Sequence, residues 1–269
     1  MSDFDIKNPM NTIFRKISNS IRADGFLYTI YRCLRFPFVR LKSFRNRKKI
    51  FASTSAPEIF TKIYEVNWWG SSESLSGHGS TLLYTENLRK ELPRLFQEFF
   101  INSVFDAPCG DFNWMKKVVG ASGISYVGGD IVPQLIERNQ ATFADDKINF
   151  ILLNIITDKF PKADLWICRD CLFHLSFEDI YLTLKNFTES EISYILTTTH
   201  NNTSGFKNLD IRTGDVRLID LFSAPFFFPN ESKYRINDWM KPHPPREMVL
   251  FDRVQISQSL PRMKLALGL

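Results

Sequence analysis

No run of 18 uncharged apolar residues occurs in the 269-residue chain, so no membrane-spanning helix is expected. The first residues lack the basic-then-apolar pattern of a secretory leader, which favours a cytoplasmic protein. Cysteine is scarce: Cys33, Cys109, Cys168 and Cys171 lie in or near apolar runs, so reduced thiols are expected and a disulfide scaffold is excluded. Cys168 and Cys171 form a single Cys-x-x-Cys with no second pair and one nearby histidine, so no metal site is read from them. Internal repeats are absent, and so is any RNA- or DNA-binding motif. Glycine is sparse where it would count most. The stretch Asp106-Ala-Pro-Cys-Gly-Asp-Phe112 has one glycine where a dinucleotide fingerprint has three, which removes the cradle for a pyrophosphate.

What remains is ordinary globular composition, 44% hydrophobic and 23% charged, with ample material for one α/β domain and appendages. The net charge of +5 conceals an asymmetry. Residues 1–50 hold twelve Lys/Arg against three Asp, a balance of +9, so the rest sums to −4. Ile13, Phe14, Ile17 and Ile21 recur there at helical spacing, and Phe26, Tyr28, Tyr31, Phe36 and Phe38 alternate with arginines. This basic amphipathic arm suits an anionic membrane surface on the cytoplasmic side. Packing on its own domain or on a partner subunit, or a nucleic-acid contact, would use the same residues.

Residues 51–100 form the next segment. Its Ser/Gly-rich stretch, residues 70–80, is either a linker or, given Trp68 and Trp69 beside it, an ordered loop closing over a site. Apolar spacing predicts a helix over 81–100.

From residue 101 onward strand and helix patterns alternate. Strands are expected at 103–107, 125–130, 148–154, 164–169 and 192–198, with helices at 111–119, 133–143 and 177–187. Pro133 suits a first helical turn, where its missing N–H costs nothing. Near-continuous apolar strands indicate a parallel sheet covered on both faces. The fold class is therefore α/β: a doubly wound, mostly parallel, Rossmann-like sheet over 101–269, preceded by an N-terminal helical extension. Residues 201–243 read as loop, and 247–256 as one late strand.

In such sheets ligands bind beyond the carboxyl ends of the strands. The first end carries Asp106, Pro108, Cys109, Gly110 and Asp111, with Trp114 just after. Gly110 lets backbone approach a ligand, and the following helix offers unpaired N–H groups. The second end carries Asp130 and Ile131; Asp130 lies 24 residues past Asp106, where an acid can accept ribose hydroxyls. The third gives Asn154 and Ile155, the fourth Arg169, Asp170 and then His174, the fifth His200. An adenosine ligand without a pyrophosphate fits the single glycine best. A strand–helix–strand unit with no cofactor and a nicotinamide or flavin site are the alternatives.

The stretch Asp106-Ala-Pro-Cys-Gly-Asp-Phe-Asn-Trp-Met115 resembles the first motif of class I S-adenosylmethionine-dependent methyltransferases, with Pro108 replacing that motif's first glycine. Trp69-Gly-x-x-Glu-Ser-x-Ser-Gly-x-Gly-Ser80 and Cys168-Arg-Asp-Cys-Leu-Phe-His-Leu-Ser176 are similar to hallmarks of a bacterial-type subgroup of that superfamily. The resemblance implies S-adenosylmethionine as cofactor, with Asp106 and Gly110 at its methionine end, Asp130 at the ribose and Asn154-Ile155 at the adenine. Pro108, Cys109, Asp111, Trp114, Ile131 and Arg169 complete the expected cofactor site. Methyl transfer to a hydroxyl needs a proton acceptor. His174 is the first candidate, with Asp170 or His200 as substitutes. His174 could equally be a core, capping or substrate-binding residue, and Asp170 a helix cap or the partner of Arg169. The acceptor is expected to be a small molecule or a glycan. A non-catalytic binding protein on a degenerate nucleotide fold and an NAD(P)-dependent oxidoreductase are the rival functions.

Overall fold

A computed structural model describes residue 41 and residues 43–269, which fall into two units divided between Ala52 and Ser53. In the first unit, residues 43–50 are helical. The rest of the basic arm, and with it the membrane, packing and nucleic-acid readings, lies outside the described residues. Among the described residues no helix is long and apolar enough to cross a membrane.

The second unit is built on a seven-stranded sheet in the order β3-β2-β1-β4-β5-β7-β6. The strands are β1 (Ser103–Asp106), β2 (Ser125–Asp130), β3 (Ile148–Leu152), β4 (Leu165–Cys168), β5 (Tyr194–His200), β6 (Tyr234–Asn237) and β7 (Arg246–Asp252). The first five run parallel; β7 is antiparallel to β5, and β6 to β7. Six helices accompany them: α1 (Ala56–Glu65), α2 (Glu86–Glu98), α3 (Met115–Ser122), α4 (Pro133–Phe143), α5 (Phe177–Glu189) and α6 (Arg253–Leu267). The strand order reverses between β1 and β4, which is where a doubly wound sheet opens its ligand crevice.

Strand side chains alternate between two cores, as a two-residue period requires. Phe105, Trp166, Cys168, Ile195, Val249 and Phe251 face the layer of α5 and α6, where Ile180, Leu184, Phe187, Ile256 and Met263 meet them. Val104, Leu165, Ile167, Leu196, Met248 and Leu250 face the layer of α2, α3 and α4, supplied by Leu88, Leu92, Leu95, Met115, Val118 and Ile136. Helices thus cover both faces, which explains why the central strands are largely apolar, with Asp106 and Asp130 at carboxyl ends and the buried Thr197, Thr198 and Thr199 of β5 as exceptions.

Four expectations need correction. The helix expected over 81–100 spans Glu86–Glu98, residues 81–85 being bend and turn. The strand expected at 247–256 ends at Asp252, whose carboxylate accepts Gln255 N–H at 2.8 Å while Gln255 Oε1 accepts Asp252 N–H at 3.0 Å. That capping box turns the chain into α6, so Val254 and Ile256 are helical. Within the expected loop 201–243 lies β6, a short edge strand in which Ile236 is the one buried residue, too little for an apolar pattern to show. The first crossover helix begins at Met115 rather than at Asp111, because Asp111 Oδ1 accepts Asn113 N–H at 3.3 Å and Phe112 takes φ +57°.

Candidate active site at the carboxyl ends of the strands

A cavity of about 320 Å³ opens over the carboxyl ends of β1 to β4, within the size range of small-molecule sites. Asp106, Pro108, Cys109, Gly110, Asp111, Trp114, Asp130, Ile131, Asn154, Ile155, Arg169, Asp170 and His174 all line it. Residues from four separate strand ends therefore meet in one space. His200 does not line it. Its Nδ1 accepts the N–H of Ile219 at 3.2 Å, and burial pushes its pKa down to about 4. The fifth strand end therefore contributes to the wall behind the site.

The glycine turn is the centre. Gly110 has φ +55°, and its N–H donates to Asp130 Oδ2 at 3.0 Å. Asp130 Oδ1 accepts Val132 N–H at 3.0 Å, so one carboxylate ties the end of β1 to the end of β2. Asp130 also borders the cavity. Burial raises the Asp130 pKa to about 6. Asp106 is 3% exposed and accepts the Tyr126 hydroxyl at 2.7 Å. No cation forms an ion pair with it among the described residues, and burial pushes its pKa up to about 7. A buried carboxylate facing a cavity without a counter-ion suits a cationic ligand group. Cys109 is 8% exposed and receives a weak contact from Asn139 Nδ2 at 3.9 Å; burial raises its pKa, so it stays a thiol. Asn154 uses its side chain locally, accepting Ile156 N–H at 3.0 Å, which holds the Asn154-Ile155 turn against the cavity.

Residues 66–80 are the ordered loop rather than a linker, and Asp111 fastens it. Its carboxylate accepts the Ser74 hydroxyl at 3.0 Å and Leu75 N–H at 2.8 Å, while Asp111 N–H donates to Ser76 Oγ at 3.1 Å. Glu73 Oε1 accepts Asn113 Nδ2–H at 2.9 Å, and Arg169 Nη2–H donates to Gly79 O at 2.8 Å. Replacing Asp111 by Ala removes the acceptor for three loop groups, the Ser74 and Ser76 hydroxyls and Leu75 N–H. Expected is a fold that survives with a loosened loop: faster amide exchange over residues 73–77, measured by hydrogen–deuterium exchange, with protection of β4 and β5 unchanged.

Arg169 is buried, and its guanidinium donates to both oxygens of Asp238, at 2.9 and 3.0 Å. Arg246 Nη2 stands 2.9 Å from Asp170 Oδ2. Burial works to raise the Asp170 pKa, but Arg169 and Arg246 outweigh it and hold the carboxyl below its usual range. Asp170 therefore remains an anion and a poor proton acceptor. Asp170 takes φ +52°, a left-handed backbone that turns β4 sharply into the His174 segment. There His174 Nδ1 lies 2.9 Å from Asp215 O. A carbonyl only accepts, so Nδ1 carries the proton and Nε2 keeps its lone pair. Nε2 has no partner among the described residues, and burial lowers the pKa, so His174 is neutral at pH 7. That is the arrangement of a general base.

Several lining residues were missed. α1 presents Ala56, Phe60 and Tyr64 to the cavity, one helical turn apart. Tyr84, His243 and Arg246 also line it. They sit in turns or at the start of β7, where neither period is visible.

No protein-family model matches the sequence, and no curated protein does. Among solved structures, magnesium protoporphyrin IX methyltransferase from Synechocystis PCC 6803 with bound SAH superposes with TM-score 0.53 at 11% identity, over 74% of this chain and all of that one. A structure described as PigF with SAH gives TM-score 0.51 at 13% identity, over 86% of this chain and 71% of that one. The likeness is one of fold: the sheet and its helices have the class I methyltransferase architecture.

Proposed function

We propose that this chain binds S-adenosylmethionine and transfers its methyl group to a hydroxyl of a small molecule or glycan. One observation carries this reading. The same cavity joins the single-glycine turn, Asp106 and Asp130 at one side to a neutral histidine with an open Nε2 at the other. The fit to the cofactor rests on the lining. Asp106, which has no ion-pair partner among the described residues, suits the amino group of the methionine end, Asp130 the ribose hydroxyls, and the apolar Leu135, Leu153 and Ile155 an adenine ring. When bound, the cofactor supplies a methyl group on a positively charged sulfur, which makes it reactive without further activation by the protein.

The chain's own work is then alignment and proton removal. His174 Nε2 takes the proton of the acceptor hydroxyl while Asp215 O holds the ring in place through Nδ1–H. Asp170, kept ionised by Arg246 and Arg169, stabilises the imidazolium that results. The loop over the site keeps water from competing. The fold neighbours crystallised with SAH support the cofactor in general terms and leave the acceptor to this chain's own residues. Through the basic arm, residues 10–50, an anionic membrane surface would bring the enzyme to lipid-linked acceptors.

Asp106 gives a test by linkage. A cationic amino group beside it lowers its pKa from about 7, so binding expels protons near neutrality. Calorimetric titration with S-adenosylmethionine in two buffers of different ionisation enthalpy is expected to show proton release between pH 6 and 8, with affinity rising across that window. In the free protein the raised pKa acts on stability: the contribution is complete below about pH 4 and lost as pH rises through about 7. Proton uptake on binding, or Asp106→Asn showing the same pH dependence, would remove Asp106 from this role.

A further inference from the structure

Beside His174 the cavity changes character. Trp69 lines it, half-buried, with its ring centroid 5.9 Å from the His174 ring and the planes tilted by 47°. The residue is braced from behind. At Gly77, φ +95°, an added Cβ would stand 3.1 Å from Trp69 Cβ, so only glycine lets the loop press so closely on the tryptophan. Trp166 and Trp239 give their indole N–H to backbone carbonyls, whereas that of Trp69 has no partner among the described residues. Phe60, Tyr64 and Phe173 continue the same wall. His174 Nε2 is therefore set at the edge of a surface of flat rings.

We propose, on the basis of the methyltransferase reading, that Trp69 is the stacking platform for the acceptor, whose hydroxyl sits on a six-membered ring with one flat apolar face. An aromatic ring and a pyranose both present such a face, and both stack on indole. Stacking fixes the ring plane, and with it which hydroxyl reaches His174 Nε2. An acyclic alcohol has no such face: an alkyl chain gains only non-directional apolar contact from the wall, and a polyol chain little of that.

The test uses the full chain saturated with SAH, titrated with catechol, methyl glucopyranoside, 1-hexanol and sorbitol while binding is followed by saturation-transfer NMR. One of the two ring compounds is expected to bind at least about tenfold tighter than both acyclic ones, and which ring wins identifies the source of the acceptor. Trp69→Ala is expected to weaken that ring about tenfold, and Trp69→Phe to restore it to within about threefold, with SAH affinity unchanged in both. Equal binding of ring and acyclic compounds, no ring binding to the SAH complex, or unchanged ring affinity in Trp69→Ala overturns the proposal. If Trp69→Ala does not fold, the ring-over-acyclic preference decides alone. Failure of SAH itself to bind overturns the methyltransferase reading first, and this proposal with it.

Discussion

Gly110→Ala is expected to destabilise the protein by about 2–5 kcal/mol and to strip it of its ligand. The added Cβ would lie 2.0 Å from Ser76 Oγ and 3.0 Å from Ser76 Cβ. Neither atom can yield freely, because Ser76 Oγ is held by Asp111 N–H. Overpacking of this kind costs about 1–3 kcal/mol, and forcing alanine to φ +55° adds about 1–2 kcal/mol. For a unit of this size the loss lowers Tm by roughly 5–15 °C. Gly123→Ala is the internal control. It has φ +66° with nothing within 4 Å of the added atom, so only the backbone cost applies, about 1 kcal/mol. Thermal unfolding of both variants separates the two effects. Equal losses would mean that the loop over residues 66–80 does not press on the glycine turn.

His174→Ala is expected to lower turnover by about 10²- to 10⁴-fold, the usual contribution of a positioned base, with cofactor affinity unchanged. The ring makes one hydrogen bond, to Asp215 O, and is half-buried, so its removal leaves the fold intact. The pH profile follows from the sign of the shift. Burial lowers the His174 pKa below 6.5, so the base is neutral through neutral pH and activity falls only as pH drops below that value. Wild-type turnover at saturating S-adenosylmethionine is expected to be flat near pH 7 and to decline on the acid side, and His174→Ala to lose that acid limb. His200→Ala, by contrast, is expected to keep the acid limb, because His200 stands outside the cavity and accepts a backbone N–H.

The central sheet was legible because its strands are buried on both faces and therefore written as apolar runs. β2 and α4 begin and end where the pattern places them. Edges were not legible. β6 has a single buried side chain, and the end of β7 was hidden because Asp252 interrupts an apolar run that continues into α6. The site was legible where chemistry follows directly from a strand end, as with Asp106, Asp130 and His174. It was illegible where a loop supplies the wall, as with Tyr84 and His243, since turn residues carry no period. Asp111 shows a third case. Its place after the glycine points to the ligand, and it does border the cavity, but its carboxylate is spent on Ser74, Leu75 and Ser76 of the loop. Arg169 is similar, with both Asp238 oxygens and Gly79 O as its partners.

The most direct measurement is a calorimetric titration of the full chain with S-adenosylmethionine and with SAH, alongside NADH and the Asp130→Ala variant. Micromolar binding of both sulfur ligands, none of NADH, and loss of at least about tenfold in Asp130→Ala is the result expected of a cavity built for an adenosine without a pyrophosphate. Absence of binding by either sulfur ligand to a folded protein would contradict it and leave the cavity without its proposed cofactor.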